Sequence, residues 1–222
     1  QAPAADKIVL LMDESTRPDA FQRHVAPVAT WRTVDYGVGY ASANCSAGSN
    51  ALMRLGIEPR RIDTSHDPRT QASVWAYAKA AGYRTLLIDS QLSEATASQN
   101  FLGEHERALI DEMIAADIGV GSDEAVAARL AARLATPGRE FIYVVLRGNH
   151  VPYEHNLPVD QRRPGLTLKQ LYDASVRFTT GRFFARLGRD APTLERTLVF
   201  YTSDHGQYQD GPGNTHCRND HR

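Results

Sequence analysis

Four short runs of β-branched, leucine and aromatic residues set the strongest limit on what this chain can fold into: KIVLLM (7–12), YRTLLID (83–89), EFIYVVL (140–146) and TLVFYT (197–202). Each is too continuously apolar to be a strand with one face in water, so each predicts a strand buried on both faces, as in a parallel sheet. Between them the period changes. TQASVWAYAKAAG (70–82), GEHERALIDEMIAA (103–116), SDEAVAARLAARLA (122–135) and TLKQLYDASVRFTTGRFFARLG (167–188) repeat their apolar residues at helical spacing. Gly82 and Gly188 stand where C-terminal caps belong. This alternation predicts an α/β fold, a three-layer α/β/α sandwich with a mainly parallel central sheet. At 222 residues the chain is expected to form a single domain.

Composition removes several functions. A formal charge of -1 gives no basic excess for a nucleic-acid partner. No apolar run approaches the roughly 18–20 residues that span a bilayer. The chain opens on QAPAADK without an initiator Met, which reads as a cut after a signal peptide or membrane anchor, or as a deliberate truncation. Two cysteines, Cys45 and Cys217, suit neither a disulfide-rich scaffold nor a four-thiolate zinc site.

Ligands of open α/β sheets bind at the carboxyl ends of the strands. Three strand exits carry metal-ligating residue types: DESTR (13–17) after the first run, RGNHVPY (147–153) after the third and SDHGQYQDGPGNTH (203–216) after the fourth. Glu14, His150, Asp204, His205 and His216 together form a carboxylate and imidazole set suited to zinc or a similar divalent ion. Any one of them is ordinary in a polar loop, but their convergence on three exits is not.

Ser and Thr hydroxyls are poor nucleophiles at neutral pH unless a base or a cation assists them. NCSAGSN (44–50) offers Cys45, Ser46 and Ser49 at the start of the helical pattern SAGSNALMRL, where free backbone N–H groups favour a phosphate or sulfate. A serine here is equally suited to capping the helix, and spacing alone leaves the choice open. Three other features read as structural. Asp173 and Arg177 are expected to form an exposed i,i+4 pair. AVAARLAARLA reads as a surface helix with one apolar face. Thr64, His66 and Asp67 read as a polar turn.

The order VLLMDESTRPDAF, SAGSNALM, VLRGNHVPYEHNLP, LYDASVRFTTGRFFARL, then LVFYTSDHGQY with a following His, resembles the alkaline-phosphatase-like superfamily. Within it the likeness is to the sulfatase-like catalytic domains of bacterial phosphoethanolamine transferases, which modify lipid A or other envelope glycans and in some cases confer polymyxin resistance. The resemblance implies a zinc site of Glu14, Asp204, His205 and the nucleophilic hydroxyl. Laid on the family pattern, SAGSNALM places Ser46 at the nucleophile, usually a Thr, and Ser49 at a supporting hydroxyl. Cys45 lacks the downstream Arg that formylglycine formation in a true sulfatase calls for. His150 and His216 would hold the transferred phosphoryl group or a second divalent metal.

The chain departs from the lipid A enzymes in having only two cysteines, Val145 where they have a further His, and Gln207 after SDHG. Cys45 and Cys217 adjoin two site residues, so a disulfide between them is expected if both flank one metal site. The expected domain is therefore one sulfatase-like catalytic unit, residues 1–222, lacking a C-terminal portion and an N-terminal membrane anchor. It is expected to act as a monomer on the periplasmic face of the inner membrane, taking phosphoethanolamine from a phospholipid donor to a glycan or lipid A acceptor. Phosphoglycerol transfer and phosphodiester or sulfate-ester hydrolysis use the same metal core. A non-catalytic glycan-binding domain is the expectation from a different class.

Overall fold

The computed structural model describes residues 5–58, 60, 71–91, 99–116, 119–209, 216 and 217. Along the chain run β1 (Lys7–Asp13), α1 (Pro18–His24), α2 (Ser46–Leu55), α3 (Val74–Ala80), β2 (Arg84–Asp89), α4 (Glu104–Arg107) and β3 (Glu112–Ala115). These are followed by α5 (Ser122–Leu134), β4 (Glu140–Val145), α6 (Leu168–Val176), α7 (Arg182–Asp190) and β5 (Thr197–Ser203). The five strands form one sheet in the order β3-β2-β4-β1-β5, and every pairing is parallel. The expected three-layer α/β/α architecture is the one observed.

Period-2 alternation sends the strand side chains to two cores. Val9, Leu11, Leu86, Ile88, Ile142 and Val144 pack with Ala20 of α1, Val126 and Leu130 of α5, Tyr172 and Val176 of α6, and Phe183 and Leu187 of α7. Met12, Leu87, Phe141, Tyr143 and Val145 face the other way, against Trp75 and Ala78 of α3 with Met53 of α2 at the margin. The apolar face expected of α5 is this buried stripe, which also includes Ala127 and Ala131.

Several local expectations need correction. β5 is not buried on both faces: it is the edge strand beside β1, and Leu198 and Phe200 on its outer face are 50% and 48% exposed. The stretch 103–116 is not one helix: it makes the single turn α4 and then the edge strand β3. Its Glu, Met and Ala favour a helix locally, but Leu86 to Asp89 of β2 offer an unpaired edge and Glu112 to Ala115 take it. The stretch 167–188 is broken by a π turn at Arg177–Gly181. Gly188 lies inside α7 and caps nothing; a Cβ there would come within 2.8 Å of Thr30 Oγ1, so close packing accounts for the glycine. Gly82 does follow its helix, at φ +78°. Asp173 pairs with Arg23 at 3.0 Å and His24 at 3.4 Å on α1, because α1 lies across that face of α6. Thr64, His66 and Asp67 lie outside the described residues.

Candidate metal centre and nucleophile

β1 ends in Asp13 and releases Glu14 into a tight turn whose next residue, Ser15, has φ +61°. β5 lies beside β1 in parallel register, Asp13 opposite Ser203, so the chain leaving β5 places Asp204 and His205 next to that turn. Ser15 N donates to Asp204 Oδ1 at 2.9 Å and locks the two exits together. The result is a buried cluster in which Glu14 and Asp204 are each 1% exposed and His205 3%. One ligand atom from each of the three lies within 4.8 Å of the others.

α2 supplies the hydroxyl. Cys45 is the extended residue before the helix and Ser46 its first residue. Ser46 Oγ lies 3.1 Å from His205 Nε2. His205 Nδ1 is 2.8 Å from the Gly206 carbonyl, which can only accept. In the neutral ring Nδ1 therefore carries the proton and Nε2 turns its lone pair toward Ser46 and Glu14 Oε1, the latter at 3.4 Å. Ser49, one turn on, is buried and donates to the Asp204 carbonyl, which makes it a brace between α2 and the β5 exit.

Electrostatics set this cluster apart. Burial and the neighbouring Glu14 charge push Asp204 well above the usual carboxylate range. For Glu14, burial acts upward but is outweighed by the charge His205 carries when protonated and by the Ser15 hydroxyl, which leave its carboxyl low. Two carboxylates this close in a dry site do not both ionise without a cation. Asp204 Oδ2 is buried without a hydrogen-bond partner among the described residues and lies 3.6 Å from His205 Nε2. A buried carboxylate oxygen left open, beside a second carboxylate and an imidazole lone pair, is the donor set of a divalent ion, and the residues present fit zinc.

His216 stacks on His205 with ring centroids 5.0 Å apart, and its ring is 5.5 Å from that of His150. Burial, then the neighbouring His205 ring, holds His216 below the usual histidine range. His150 is exposed, with Nδ1 2.6 Å from the Val151 carbonyl. Cys45 and Cys217 are joined as a disulfide with Cα atoms 4.7 Å apart, and Cys217 N donates to Asn44 O at 2.8 Å. That bond ties the residue before Ser46 to the residue after His216. Glu14, Ser46, His150, Asp204, His205 and His216 thus meet at one end of the sheet. An open groove of about 610 Å³ runs elsewhere, along α6 and Leu157 to Arg163, and contains none of them.

Sequence reading missed the residues that hold this site. Asp13 Oδ2 accepts from Thr16, Thr180 and Tyr201 hydroxyls at 2.7–2.9 Å, and burial raises its carboxyl to about 6. Gly148 is at φ +52°, where a Cβ would fall 2.5 Å from Asp13 Oδ1 and 2.7 Å from Glu14 O, so only glycine allows the β4 exit to close on the Glu14 turn. Asn149 N then donates to Glu14 O at 2.9 Å. Gln91, two residues beyond β2, donates to Glu14 Oε2 at 3.2 Å. The strand-end rule that drew attention to three exits applies to this fourth one as well.

A sulfatase family model matches residues 37–222. Among solved structures, the chain is similar to the zinc complex of the C-terminal periplasmic domain of EptC from Escherichia coli, at 20% identity and TM-score 0.69, covering 98% of this chain and 69% of that one. It is similar to the soluble domain of lipooligosaccharide phosphoethanolamine transferase A from Neisseria meningitidis at 15% identity and TM-score 0.73, covering 98% and 72%. The lipoteichoic acid synthase LtaP from Listeria monocytogenes matches at 13% identity and TM-score 0.57, covering 95% and 59%. No curated protein sequence matches. These identities establish a shared fold, while the family match spans most of the chain and ends past the site: the protein belongs to the sulfatase family.

Proposed function

We propose that this domain is a zinc-dependent phosphoethanolamine transferase, working through a covalent phospho-Ser46 intermediate. One observation carries the reading: Ser46 Oγ, at the first residue of a ten-residue helix, lies 3.1 Å from an imidazole that belongs to a buried carboxylate pair with an unpartnered oxygen. Glu14, Asp204, His205 and Ser46 would hold the ion. When bound it would supply a Lewis acid that lowers the pKa of the serine hydroxyl.

Ser46 Oγ attacks the phosphorus of a phospholipid donor, the P–O bond to diacylglycerol breaks, and the departing alkoxide takes up a proton. The free N–H groups at the start of α2 face the charge that builds on the phosphoryl oxygens. His150 and His216 bind the non-bridging oxygens or deliver that proton. A sugar hydroxyl of lipid A or another envelope glycan then attacks the phosphoserine and restores Ser46. The disulfide and the likeness to periplasmic domains support a place in the cell envelope, on the periplasmic face of the inner membrane. Among the described residues no helix is long and apolar enough to cross a membrane.

Incubation with labelled phosphatidylethanolamine and, separately, phosphatidylglycerol tests the reading. A phosphoethanolamine adduct on the peptide containing Ser46 is expected. An adduct from phosphatidylglycerol alone would reassign the donor. Zinc binding with no adduct from either would leave a hydrolase, and no zinc uptake would leave a glycan-binding domain.

A further inference from the structure

The two oxygens of Glu14 have unlike surroundings. Oε1 faces His205 Nε2 at 3.4 Å and accepts the Ser15 hydroxyl at 2.5 Å. Oε2 accepts from the Gln91 amide, Nε2, at 3.2 Å. Gln91 is itself pinned at four points. The same Nε2 donates to the Leu146 carbonyl at 2.8 Å, where β4 ends, and the Gln91 backbone N donates to Asp89 Oδ1 at 2.7 Å. Its Oε1 accepts from Asn100 Nδ2 at 3.4 Å.

The connection continues into α2. Asn100 O accepts from Arg54 Nη2 at 2.8 Å, and Arg54 is held by Glu106 at 3.0 and 3.2 Å in a pair whose side chains are 3% and 1% exposed. Arg54 lies on the helix that begins with Ser46. A hydrogen-bonded path thus runs from the nucleophile's helix through Gln91 to the metal carboxylate. Glutamine meets the local demand because one NH₂ group satisfies two acceptors, Glu14 Oε2 and Leu146 O, while its carbonyl takes the Asn100 donor. A glutamate of the same size would set a negative oxygen against both acceptors.

A carboxylate with two open oxygens can bind a cation through either or both, whereas one whose second oxygen is held by a fixed donor offers a single oxygen in one orientation. We propose that Gln91 is a positioning residue that holds Glu14 through Oε2, presents Oε1 to the cation and keeps that orientation in register with α2. This rests on the metal reading of Glu14, Asp204 and His205.

The test compares wild type, Gln91→Ala and Gln91→Glu by three measurements: zinc affinity in competition with a chromogenic chelator, the visible absorption of the cobalt(II)-substituted protein, and the melting temperature of the metal-free protein. Both variants are expected to bind zinc about 10- to 100-fold more weakly and to show altered cobalt bands. The metal-free Tm should fall by no more than about 4 °C. The isosteric Gln91→Glu carries the test if Gln91→Ala does not fold. Wild-type zinc affinity and wild-type cobalt bands in a folded variant would overturn the proposal, even with a lower Tm, since that is the mark of a structural role alone. Tighter zinc binding by Gln91→Glu would also overturn it, because the side chain would then be acting as a ligand. A wild-type protein that takes up neither metal would remove the metal reading itself and this proposal with it.

Discussion

The two ends of the parallel sheet bury carboxylates at the same depth and treat them in opposite ways. At the amino ends, Glu140 is 4% exposed and accepts Lys7 Nζ at 2.6 Å and the Arg133 guanidinium at 2.6 and 3.1 Å. At the carboxyl ends, Glu14 and Asp204 are each 1% exposed, and among the described residues their only ion-pair partner is His205. A buried charge is tolerated only when it is compensated. Where the chain carries the cations the result is a closed clamp. Where it carries one imidazole for two carboxylates, the rest of the compensation falls to a proton or to an exchangeable ion, and the ion brings Lewis-acid chemistry with it.

The most demanding way to break this comparison is to remove the hydroxyl at the open end. Ser46→Ala should lower transfer by at least about 10³-fold and remove the phosphoryl adduct from intact-mass spectra, with zinc still bound by the three remaining ligands. An adduct that persists on this variant would end the assignment of Ser46.

Next in size is the closed end. Lys7→Met leaves Glu140 with Arg133 and the more distant Arg84, 3.8 Å away, and should cost about 3 kcal/mol in urea unfolding without changing zinc affinity. A loss of zinc binding would show that the two ends are not independent. The corresponding change at the open end should act the other way: Asp204→Asn relieves the crowding of two carboxylates and should leave the metal-free protein as stable as wild type, or more stable by about 1 kcal/mol. Zinc at 100 times its Kd should add about 2.7 kcal/mol to wild type and little to this variant. Strong destabilisation of metal-free Asp204→Asn would make Asp204 a structural carboxylate like Glu140.

Asp111 provides the baseline. Its carboxylate pairs with Lys79 on the surface and accepts Thr85 N at 2.9 Å, and the Lys79 and Thr85 hydrogen bonds hold its pKa at about 2. A pKa depressed in the folded state means that the contribution is present above the unfolded value of 3.8 and is lost as pH falls through about 2. Because the pair is exposed to screening, Asp111→Asn should cost no more than about 0.5 kcal/mol at pH 7 and less as the pH approaches 2. A larger effect would mean that surface pairs rival the buried clamp.

Much of the site could be read along the chain because each candidate metal ligand directly follows a strand. Glu14 comes after Asp13, and Asp204 and His205 come after Ser203, so locating the apolar runs located the candidates. The same reading passed over Gln91 and Asn149, whose amides look unremarkable until their partners are known, and over the exit of β2 altogether. It assigned Glu112–Ala115 to a helix because a four-residue edge strand has too few residues to overcome local helix preference.

The sequence by itself determined four of the five strands, a mainly parallel sheet, and that carboxylates and imidazoles follow the carboxyl ends of three of those strands. Those properties follow from apolar periodicity and from residue order, which are local. Only the tertiary structure decided the strand order β3-β2-β4-β1-β5, which places the β1 and β5 exits side by side, and the approach of α2 that sets Ser46 Oγ 3.1 Å from His205. It also decided that Cys45 and Cys217, 172 residues apart, meet beside that contact, and that Glu14 has Gln91 on one oxygen and His205 on the other. Such distances are sums over many turns and packed side chains, and no short stretch of sequence contains them.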